Sequence, residues 1–281
     1  MNIDGELGRY EPMEFSNPEF ERDGLRQLAF YSPALQGRGD VSLFLPDGIQ
    51  TCETVPIVLL LHGVYGSHWS WFWQGGAHAT ARRLMEQGRI GPMAIVAPFD
   101  GLSGDGTGYL PAGEKNFEAW ICDDVVQCVP KLICGHGQRA ELFLAGLSMG
   151  GYGALRLGAK YPRLFRGIAA HSAIVDVADF RKFVRDASRI ESVDPAEAGV
   201  LHWMRKHKEE LPPIRFDCGE DDDLFASNSE LHRALQQENI AHEFISHPGG
   251  HSWEYWRLHV EETLLFFDGI VRGAARQSNS P

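Results

Sequence analysis

The Gly-Leu-Ser-Met-Gly string at residues 146–150 has the residue types and spacing of a nucleophilic serine. An apolar stretch precedes it and a run of small residues with helical periodicity follows, so it predicts a sharp strand-to-helix turn. Such a turn strains the serine backbone and lifts its hydroxyl above the sheet, and the glycines leave room for neighbouring backbone. A chain with 31 glycines could carry the pattern by chance. The strand before it and the helix after it favour Ser148 as a nucleophile instead.

A serine hydroxyl is a weak nucleophile until a base removes its proton. In strand-to-helix serine enzymes the order along the chain is serine, acid, histidine. His251 follows a Pro-Gly-Gly run after the last predicted strand and precedes the final predicted helix, which Ser252 would cap. His251 is therefore predicted as the base, and His247, before the same run, as a surface residue.

The acid is expected in the loop after the predicted strand Ile214–Cys218, where residues 220–223 are all acidic. One carboxylate must orient the imidazole and stabilise its cation. The others are expected to be solvated or to cap the helix that follows. These considerations leave Asp221, Asp222 and Asp223 open.

A His-Gly-Val-Tyr-Gly-Ser loop follows the predicted strand Pro56–Leu61. A loop in this position supplies one backbone N–H to the substrate oxyanion. Val64 is predicted as that donor and Met149 as the second, because Met149 begins the helix after the serine. His62 is expected to hydrogen-bond locally and hold the loop. No two histidines have the spacing of a metal site on a helix or hairpin, so the sequence predicts neither a metal nor a cofactor.

An aromatic cluster follows this loop closely, with three tryptophans within residues 69–73. Large apolar faces can exclude water from a substrate pocket, and they can equally pack a core. Trp69, Trp71 and Tyr65 are predicted to wall the substrate pocket, with ordinary core packing as the alternative. A glycine-rich loop at residues 100–109 is expected to border the alcohol site.

Apolar runs alternate with helical periodicity along most of the chain, which predicts an α/β protein. Eight runs predict strands, the first two joined by a turn at residues 37–40: Leu25–Tyr31, Val41–Leu45, Pro56–Leu61, Met93–Ala97, Glu141–Ala145, Gly167–Ala170, Ile214–Cys218 and Glu243–Ser246. Five segments predict helices: Ala79–Gln87, Glu118–Ile133, Gly150–Lys160, Ser227–Gln237 and Trp253–Arg272. The expected architecture is a mostly parallel central sheet of about eight strands with helices on both faces.

The 281 residues suffice for one α/β domain, and no repeat or low-complexity linker divides them. A single domain over residues 1–281 is therefore predicted. The charged, helical segment at about 176–211 is interpreted as an excursion over the sheet, placed where a lid would lie.

Composition restricts the partners. The net charge of −12 argues against nucleic acid and anionic membrane surfaces. No apolar run approaches the roughly 18 residues of a membrane span. The five cysteines are odd in number and loosely spaced, and the first residues are polar and acidic. The cysteine pattern predicts reduced thiols, and the polar first residues predict no secretory signal. Together they predict a cytoplasmic location. The expected partner is a small-molecule ester, and a homo-oligomer is left open.

Four segments together resemble the family of esterases named "Putative esterase": Leu61–Gly63, Gly146–Ala154, Cys218-Gly219-x-x-Asp222-x-Leu224 and Pro248-Gly249-Gly250-His251-x-Trp253. The resemblance extends from about Arg26 to Phe267. It implies an α/β-hydrolase fold and selects Asp222 as the acid. This family includes esterase D (S-formylglutathione hydrolase), feruloyl esterase domains and mycolyltransferases. Within it, the chain is most similar to the tributyrin-esterase branch.

This resemblance implies a serine carboxylesterase that acts on short-chain acyl esters through Ser148, Asp222 and His251. Hydrolysis of thioesters, as in S-formylglutathione hydrolases, and acyl transfer to another alcohol are alternatives within the fold. S-formylglutathione hydrolases differ from this chain at residues 63–67 and 104–109. A catalytically idle hydrolase fold that serves as a binding module is the alternative from another class.

Overall fold

A computed structural model describes residues 7–101 and 103–278. The first six residues of the acidic N-terminal segment and Leu102 of the glycine-rich loop lie outside the described residues. Within these residues, a central sheet contains nine strands: β1 Met13–Phe15, β2 Leu25–Ser32, β3 Gly37–Phe44, β4 Thr54–Leu61, β5 Ala94–Pro98, β8 Arg139–Leu147, β9 Ile168–His171, β10 Ile214–Gly219 and β11 Glu243–His247. A separate small hairpin consists of β6 Pro111–Ala112 and β7 Lys115–Asn116.

The strand order is β1-β2-β3-β5-β4-β8-β9-β10-β11. The strands β1, β2 and β3 are antiparallel to their neighbours, and every pair from β5 to β11 is parallel. The predicted α/β-hydrolase architecture is confirmed, with nine strands instead of eight. The sequence does not reveal β1 because this strand has only three residues, none of them buried, and so carries no apolar alternation.

The turn between β2 and β3 was predicted at residues 37–40, and this prediction is wrong. The chain reverses at residues 33–36, and Gly37 already pairs with Ser32 in the ladder. Gly39 lies inside β3. A glycine is needed there because a Cβ would lie only 2.2 Å from a ring carbon of Trp120. That glycine serves close packing and not a turn.

The strand β4 lies at the centre of the sheet and is buried from Val55 to Leu61. Its side chains alternate between two hydrophobic clusters, because successive residues of a strand point to opposite faces. Ile57 and Leu59 belong to one cluster, and Val58 and Leu60 belong to the other. Both faces are therefore covered, as the continuous Val/Leu run predicts.

Helices cover both faces of the sheet: α1 Ser70–Trp73, α2 Ala77–Glu86, α3 Phe117–Ala119, α4 Val126–Ile133, α5 Met149–Lys160, α6 Ser188–Glu191, α7 Pro195–Ala198, α8 Val200–Lys206, α9 Phe225–Gln237 and α10 Trp253–Ser278. The five predicted helices are present, with one difference. The segment predicted as a single helix from Glu118 to Ile133 contains a π-helical turn at Trp120–Val125 between α3 and α4. Asp124 in this turn is buried and accepts hydrogen bonds from the Ser32 hydroxyl and the Ala34 N–H.

The strand order reverses direction at β4. The next strand along the chain, β5, lies on one side of β4, and β8 lies on the other. In open parallel sheets such a reversal leaves a crevice at the carboxyl ends of the two diverging strands, and ligands bind there. The loop after β4 and the turn after β8 carry the predicted oxyanion loop and Ser148, so the topology brings these two segments to one place.

The segment predicted as a helical excursion contains only short helices, from α6 to α8, together with two 3₁₀ turns, Val177–Lys182 and Lys208–Glu210. It packs against α5. The Tyr152 hydroxyl donates to the Ala198 carbonyl at 2.7 Å, and the Arg156 Nε donates to the Glu197 carbonyl at 2.6 Å. These bonds attach the excursion to the helix that follows Ser148.

No helix in the described part of the chain has both the length and the apolar character needed to span a bilayer. The five cysteines form no disulfide with one another: Cys52, Cys122, Cys128, Cys134 and Cys218. Burial raises the pKa of Cys128 to about 12, which keeps that thiol protonated and unreactive.

Candidate active site

Ser148 occupies the turn between β8 and α5 with φ 54° and ψ −118°. This left-handed φ is strained for a residue with a side chain, at a cost of about 1–3 kcal/mol. Two backbone bonds hold the strained turn. The Ser148 N–H donates to the His171 carbonyl at 3.0 Å, and the Ile174 N–H donates to the Ser148 carbonyl at 3.1 Å. The neighbouring strand end β9 therefore fixes the position of the hydroxyl.

The two glycines of the turn are required by close packing. A Cβ at Gly146 would lie 2.2 Å from the carbonyl oxygen of Gly150, and a Cβ at Gly150 would lie 2.2 Å from the carbonyl oxygen of Leu61. Neither backbone contact can relax by rotation of a side chain. The Gly-x-Ser-x-Gly pattern is thus a packing requirement between β8, α5 and β4, as the sequence predicts.

The imidazole of His251 lies between Ser148 and Asp222. Its Nε2 is 3.0 Å from the Ser148 Oγ, and its Nδ1 is 2.9 Å from the Asp222 Oδ2. Since an ionised carboxylate can only accept, Nδ1 carries the proton and Nε2 is free to accept from the serine hydroxyl. The structure therefore brings together the three residues predicted as nucleophile, base and acid.

Among the consecutive acidic residues, only Asp222 is buried, while Asp221 and Asp223 are exposed. Its Oδ1 also accepts from the Leu224 N–H at 2.9 Å. Burial alone would raise the pKa of Asp222, but the hydrogen bond and charge of His251 and the Leu224 N–H outweigh it, so this pKa is lowered. The carboxylate stays ionised at neutral pH, as a group that orients an imidazole must.

Two aromatic rings hold His251 from its sides. The Phe183 ring stacks on the imidazole at 4.7 Å between centroids, and the Trp256 ring meets it edge-on at 4.9 Å. The Trp256 Nε1 is fixed by the Ser172 hydroxyl at 3.2 Å. Sequence reasoning placed Phe183 only in the excursion and Trp256 only on the apolar face of the last helix. The one available signal was the position of Trp256, one turn into the helix that follows His251.

The loop after β4, which was predicted to supply an oxyanion donor, is held in place by His62. The His62 Nε2 accepts from the Asp100 N–H at 3.0 Å, so the ring proton is on Nδ1, which donates to the Gly63 carbonyl at 2.8 Å. This is the local structural role predicted for His62. Within the described residues, the N–H groups of Val64 and Met149 have no acceptor, and Val64 lines the same cavity as Ser148. Both N–H groups are thus available to a substrate oxygen.

A cavity of about 330 Å³ opens beside Ser148 and His251. Five aromatic side chains line it: Tyr65, Trp69, Phe183, Trp253 and Trp256. Tyr65 and Trp69 are 65% and 40% exposed and lie where pocket walls were predicted. Trp71 was predicted as a third wall, and this prediction is wrong. Its side chain is fully buried, donates from Nε1 to the Leu61 carbonyl at 2.9 Å and packs edge-on against Trp253.

A second His–Asp pair lies nearby, on β9 and β10. His171 Nδ1 is 2.9 Å from the Asp217 Oδ2, and its Nε2 is 3.0 Å from the Thr263 hydroxyl. All three are fully buried, so substrate cannot reach them. Burial alone would raise the pKa of Asp217, but His171 and the guanidinium of Arg215 lower it to about 2. The pair is therefore a buried structural contact between the neighbouring strands β9 and β10.

In the described ranges, one group of side chains has ligand atoms close enough to share a cation: His247, His259 and Glu262, within 4.8 Å of one another. The Arg215 guanidinium already contacts the same Glu262 carboxylate, and both histidines are within hydrogen-bond distance of it, at 3.2 and 3.1 Å. A fixed cation on the carboxylate disfavours a metal ion, so these contacts are those of an ion-pair cluster. His247, predicted as a surface residue, is partly buried and stacks on His259 at 3.9 Å.

Comparisons with known proteins agree on the class of enzyme. The model of the family described as "Putative esterase" matches residues 32–267. An acetyl esterase of Caldicellulosiruptor saccharolyticus is 26% identical over 88% of this chain and 98% of its own length. Esterase Rv1288 of Mycobacterium tuberculosis is 25% identical over 86% of this chain and 58% of its own length.

Solved structures of similar fold include a ferulic acid esterase, with a TM-score of 0.76 and 25% identity over 88% of this chain and 98% of that one. An S-formylglutathione hydrolase of Staphylococcus aureus has a TM-score of 0.71 over 91% of this chain and 99% of that one, and at 18% identity it supports the fold alone. With the family match covering most of the chain, the protein belongs to the "Putative esterase" family and is a carboxylesterase of the α/β-hydrolase fold.

Proposed function

We propose that the protein hydrolyses short-chain carboxylic esters with Ser148 as nucleophile, His251 as base and Asp222 as the acid that orients it. The observation that carries this proposal is the 3.0 Å separation of the His251 Nε2 and the Ser148 Oγ, with Asp222 on the opposite ring nitrogen. This is the arrangement in which an imidazole can take the serine proton as the hydroxyl attacks.

The reaction proceeds in two steps. The Ser148 Oγ attacks the ester carbonyl carbon while its proton passes to the His251 Nε2, and the N–H groups of Val64 and Met149 donate to the resulting oxyanion. The C–O bond to the alcohol then breaks, and the alcohol leaves with the proton from His251. Water attacks the acyl-serine by the same route and releases the carboxylic acid and free Ser148.

Two observations support short acyl groups. The cavity beside the serine has a volume of only about 330 Å³, and the relative that this chain matches over 98% of its length is named an acetyl esterase. Esters of aromatic acids are a second candidate, because aromatic side chains wall the cavity and one similar structure is a ferulic acid esterase. Flat rings stack on such walls.

The test compares hydrolysis of p-nitrophenyl acetate, butyrate and octanoate and of methyl ferulate by wild type and Ser148→Ala. We expect the variant to lose about 10⁶-fold in kcat, down to the residual rate that binding and the oxyanion donors provide. Ser192→Ala, which alters an exposed serine of the excursion, serves as the matched control and is expected to retain full activity. The acyl-length profile then distinguishes short aliphatic from aromatic acyl groups.

A fluorophosphonate probe provides an independent readout, because it reacts only with an activated serine. We expect one adduct, on Ser148, and none on the alanine variant. Equal ester hydrolysis by both proteins would contradict the proposal. Folded wild type that neither hydrolyses esters nor reacts with the probe would favour an idle binding module. Faster turnover of S-formylglutathione, or ester products with an added acceptor alcohol, would favour the thioesterase or acyltransferase alternative.

A further inference from the structure

An ion pair joins the glycine-rich loop after β5 to the excursion. Arg185 donates to both carboxylate oxygens of Asp105 from Nε, at 3.2 and 3.1 Å, and its backbone N–H donates to the same carboxylate at 2.8 Å. The Asp105 side chain is only 8% exposed, whereas Arg185 is 83% exposed. The hydrogen bonds from Arg185 lower the pKa of Asp105 to about 2, so the carboxylate is charged at neutral pH.

The same loop has a second attachment to the excursion. The Arg189 Nη2 donates to the carbonyl oxygen of Gly106 at 2.7 Å. Phe183, which stacks on the imidazole of His251, lies two residues before Arg185 in the excursion. The segment from Phe183 to Arg189 is therefore bonded to the glycine-rich loop at two points beside the ring that contacts the proposed base.

On its other side, the glycine-rich loop contacts both proposed oxyanion donors. The Asp105 carbonyl accepts from the N–H of Tyr65, the residue after Val64, at 3.0 Å. Tyr65 has a left-handed φ of 58°, a conformation that needs support from its neighbours. At Gly106 a Cβ would lie 2.5 Å from the Met149 sulfur and 3.2 Å from a Val64 methyl group. The backbone of the loop thus packs directly on the two residues proposed as oxyanion donors.

We propose that Asp105 is a positioning residue that links the proposed oxyanion loop to the excursion. Its carbonyl oxygen binds the oxyanion loop, and its carboxylate binds the excursion. In this role it sets the distance between two walls of the substrate cavity, Tyr65 on one side and Phe183 on the other. It also fixes the peptide that follows the Val64 N–H. This inference rests on the proposed function for its kinetic consequences, and its structural consequence can be measured without substrate.

The test replaces Arg185 by alanine, since this exposed side chain can be removed without opening the core. Arg181→Ala is the matched control, because it breaks the exposed ion pair with Glu191 inside the excursion and leaves Asp105 untouched. Hydrogen–deuterium exchange of peptides from residues 62–69 and 180–190 is followed in both variants. We expect faster exchange in both peptides of Arg185→Ala and no change at residues 62–69 of Arg181→Ala.

In steady-state assays, we expect Arg185→Ala to lose about fivefold in kcat/KM on p-nitrophenyl butyrate, the upper range for an exposed ion pair. The loss should include kcat, because a displaced oxyanion donor acts on the transition state. Arg185→Lys, which keeps the charge but not the bidentate geometry, should recover part of it. Urea unfolding verifies that all three variants are folded under the assay conditions.

Unchanged exchange at residues 62–69 in Arg185→Ala, or the same change in Arg181→Ala, would overturn the inference. A loss of kcat/KM that comes from KM alone and is equal in Arg185→Ala and Arg181→Ala would overturn it as well. Failure of the proposed function is seen separately, as a wild-type protein that neither hydrolyses the ester nor reacts with a fluorophosphonate. The exchange experiment still decides the link in that case.

Discussion

Replacing Asp222 by asparagine keeps the shape of the side chain but exchanges one acceptor oxygen for a donor. In the structure, Oδ1 accepts from the Leu224 N–H at 2.9 Å, and Oδ2 faces the His251 Nδ1 at 2.9 Å. The asparagine carbonyl must remain on the Leu224 N–H, because two donors cannot face each other there. The amide NH₂ then points at the His251 Nδ1.

This contact forces the imidazole into its other tautomer. With a donor facing it, Nδ1 must accept, so the ring proton moves to Nε2, 3.0 Å from the Ser148 Oγ. A protonated Nε2 cannot take the serine proton. A loss of about 10⁴ in kcat is expected for a wrong tautomer of this kind, which corresponds to about 5 kcal/mol of transition-state stabilisation.

The assay is the hydrolysis of p-nitrophenyl butyrate by wild type and by Asp222→Asn, with Asp221→Asn and Asp223→Asn as matched controls. Both control residues are exposed, so near wild-type kcat is expected for them. Thermal unfolding verifies that the variants are folded. The reasoning is refuted if Asp222→Asn keeps more than about a tenth of the wild-type kcat, far above the loss expected for a wrong tautomer. A large loss in either control instead would assign the acid to another residue.

Three further predictions concern packing and charge. A methyl group at Gly150 would lie 2.2 Å from a carbonyl oxygen of β4, so Gly150→Ala should lose about 3 kcal/mol of folding stability or more. Gly269 lies in open space on α10, so Gly269→Ala should gain about 0.5–1 kcal/mol. Urea unfolding compares the two variants, and equal midpoints would contradict the packing argument. Phe183→Ala should lower kcat/KM by up to about tenfold because the ring stacked on His251 is lost, while Phe183→Tyr should retain activity; equal losses in the two variants would argue against stacking. Asp217 has a pKa of about 2, below its ordinary value of 3.8, so it stabilises the folded state above about pH 4 and this contribution disappears as the pH falls towards 2. The stability difference between wild type and Asp217→Asn should therefore shrink over that range in urea titrations, and a constant difference would exclude the ionised carboxylate as its cause.

Most of the fold could be predicted because local signals and tertiary structure agree. The continuous apolar run of β4 predicts a strand buried on both faces, and the structure places it at the centre of the sheet. Elements without a local signal were missed. The strand β1 has three residues, and the glycines at 37 and 39 resemble a turn although they lie within β3. A glycine required for packing and a glycine required for a turn are identical in sequence.

The candidate site divides in the same way. Ser148 and His251 are fixed by the chain around them, because each stands in a loop that follows a recognisable strand. Asp222 could not be distinguished from its acidic neighbours by local arguments. Only the resemblance to a family selected it, and burial against His251 now distinguishes it. A single domain over residues 1–281 and a cytoplasmic location stay predictions.

The sequence by itself determined the strand–turn–helix at Ser148, the loop that follows β4 and the class of chemistry, because these depend on residue types at short, fixed spacing. The tertiary structure decided what depends on residues far apart in the chain. It buried Trp71 in the core against Trp253, which left Trp69 at the cavity. It also stacked Phe183 on His251 and paired Arg185 with Asp105. The physical reason is that periodicity encodes which face of an element is buried, but not which distant side chain will cover it.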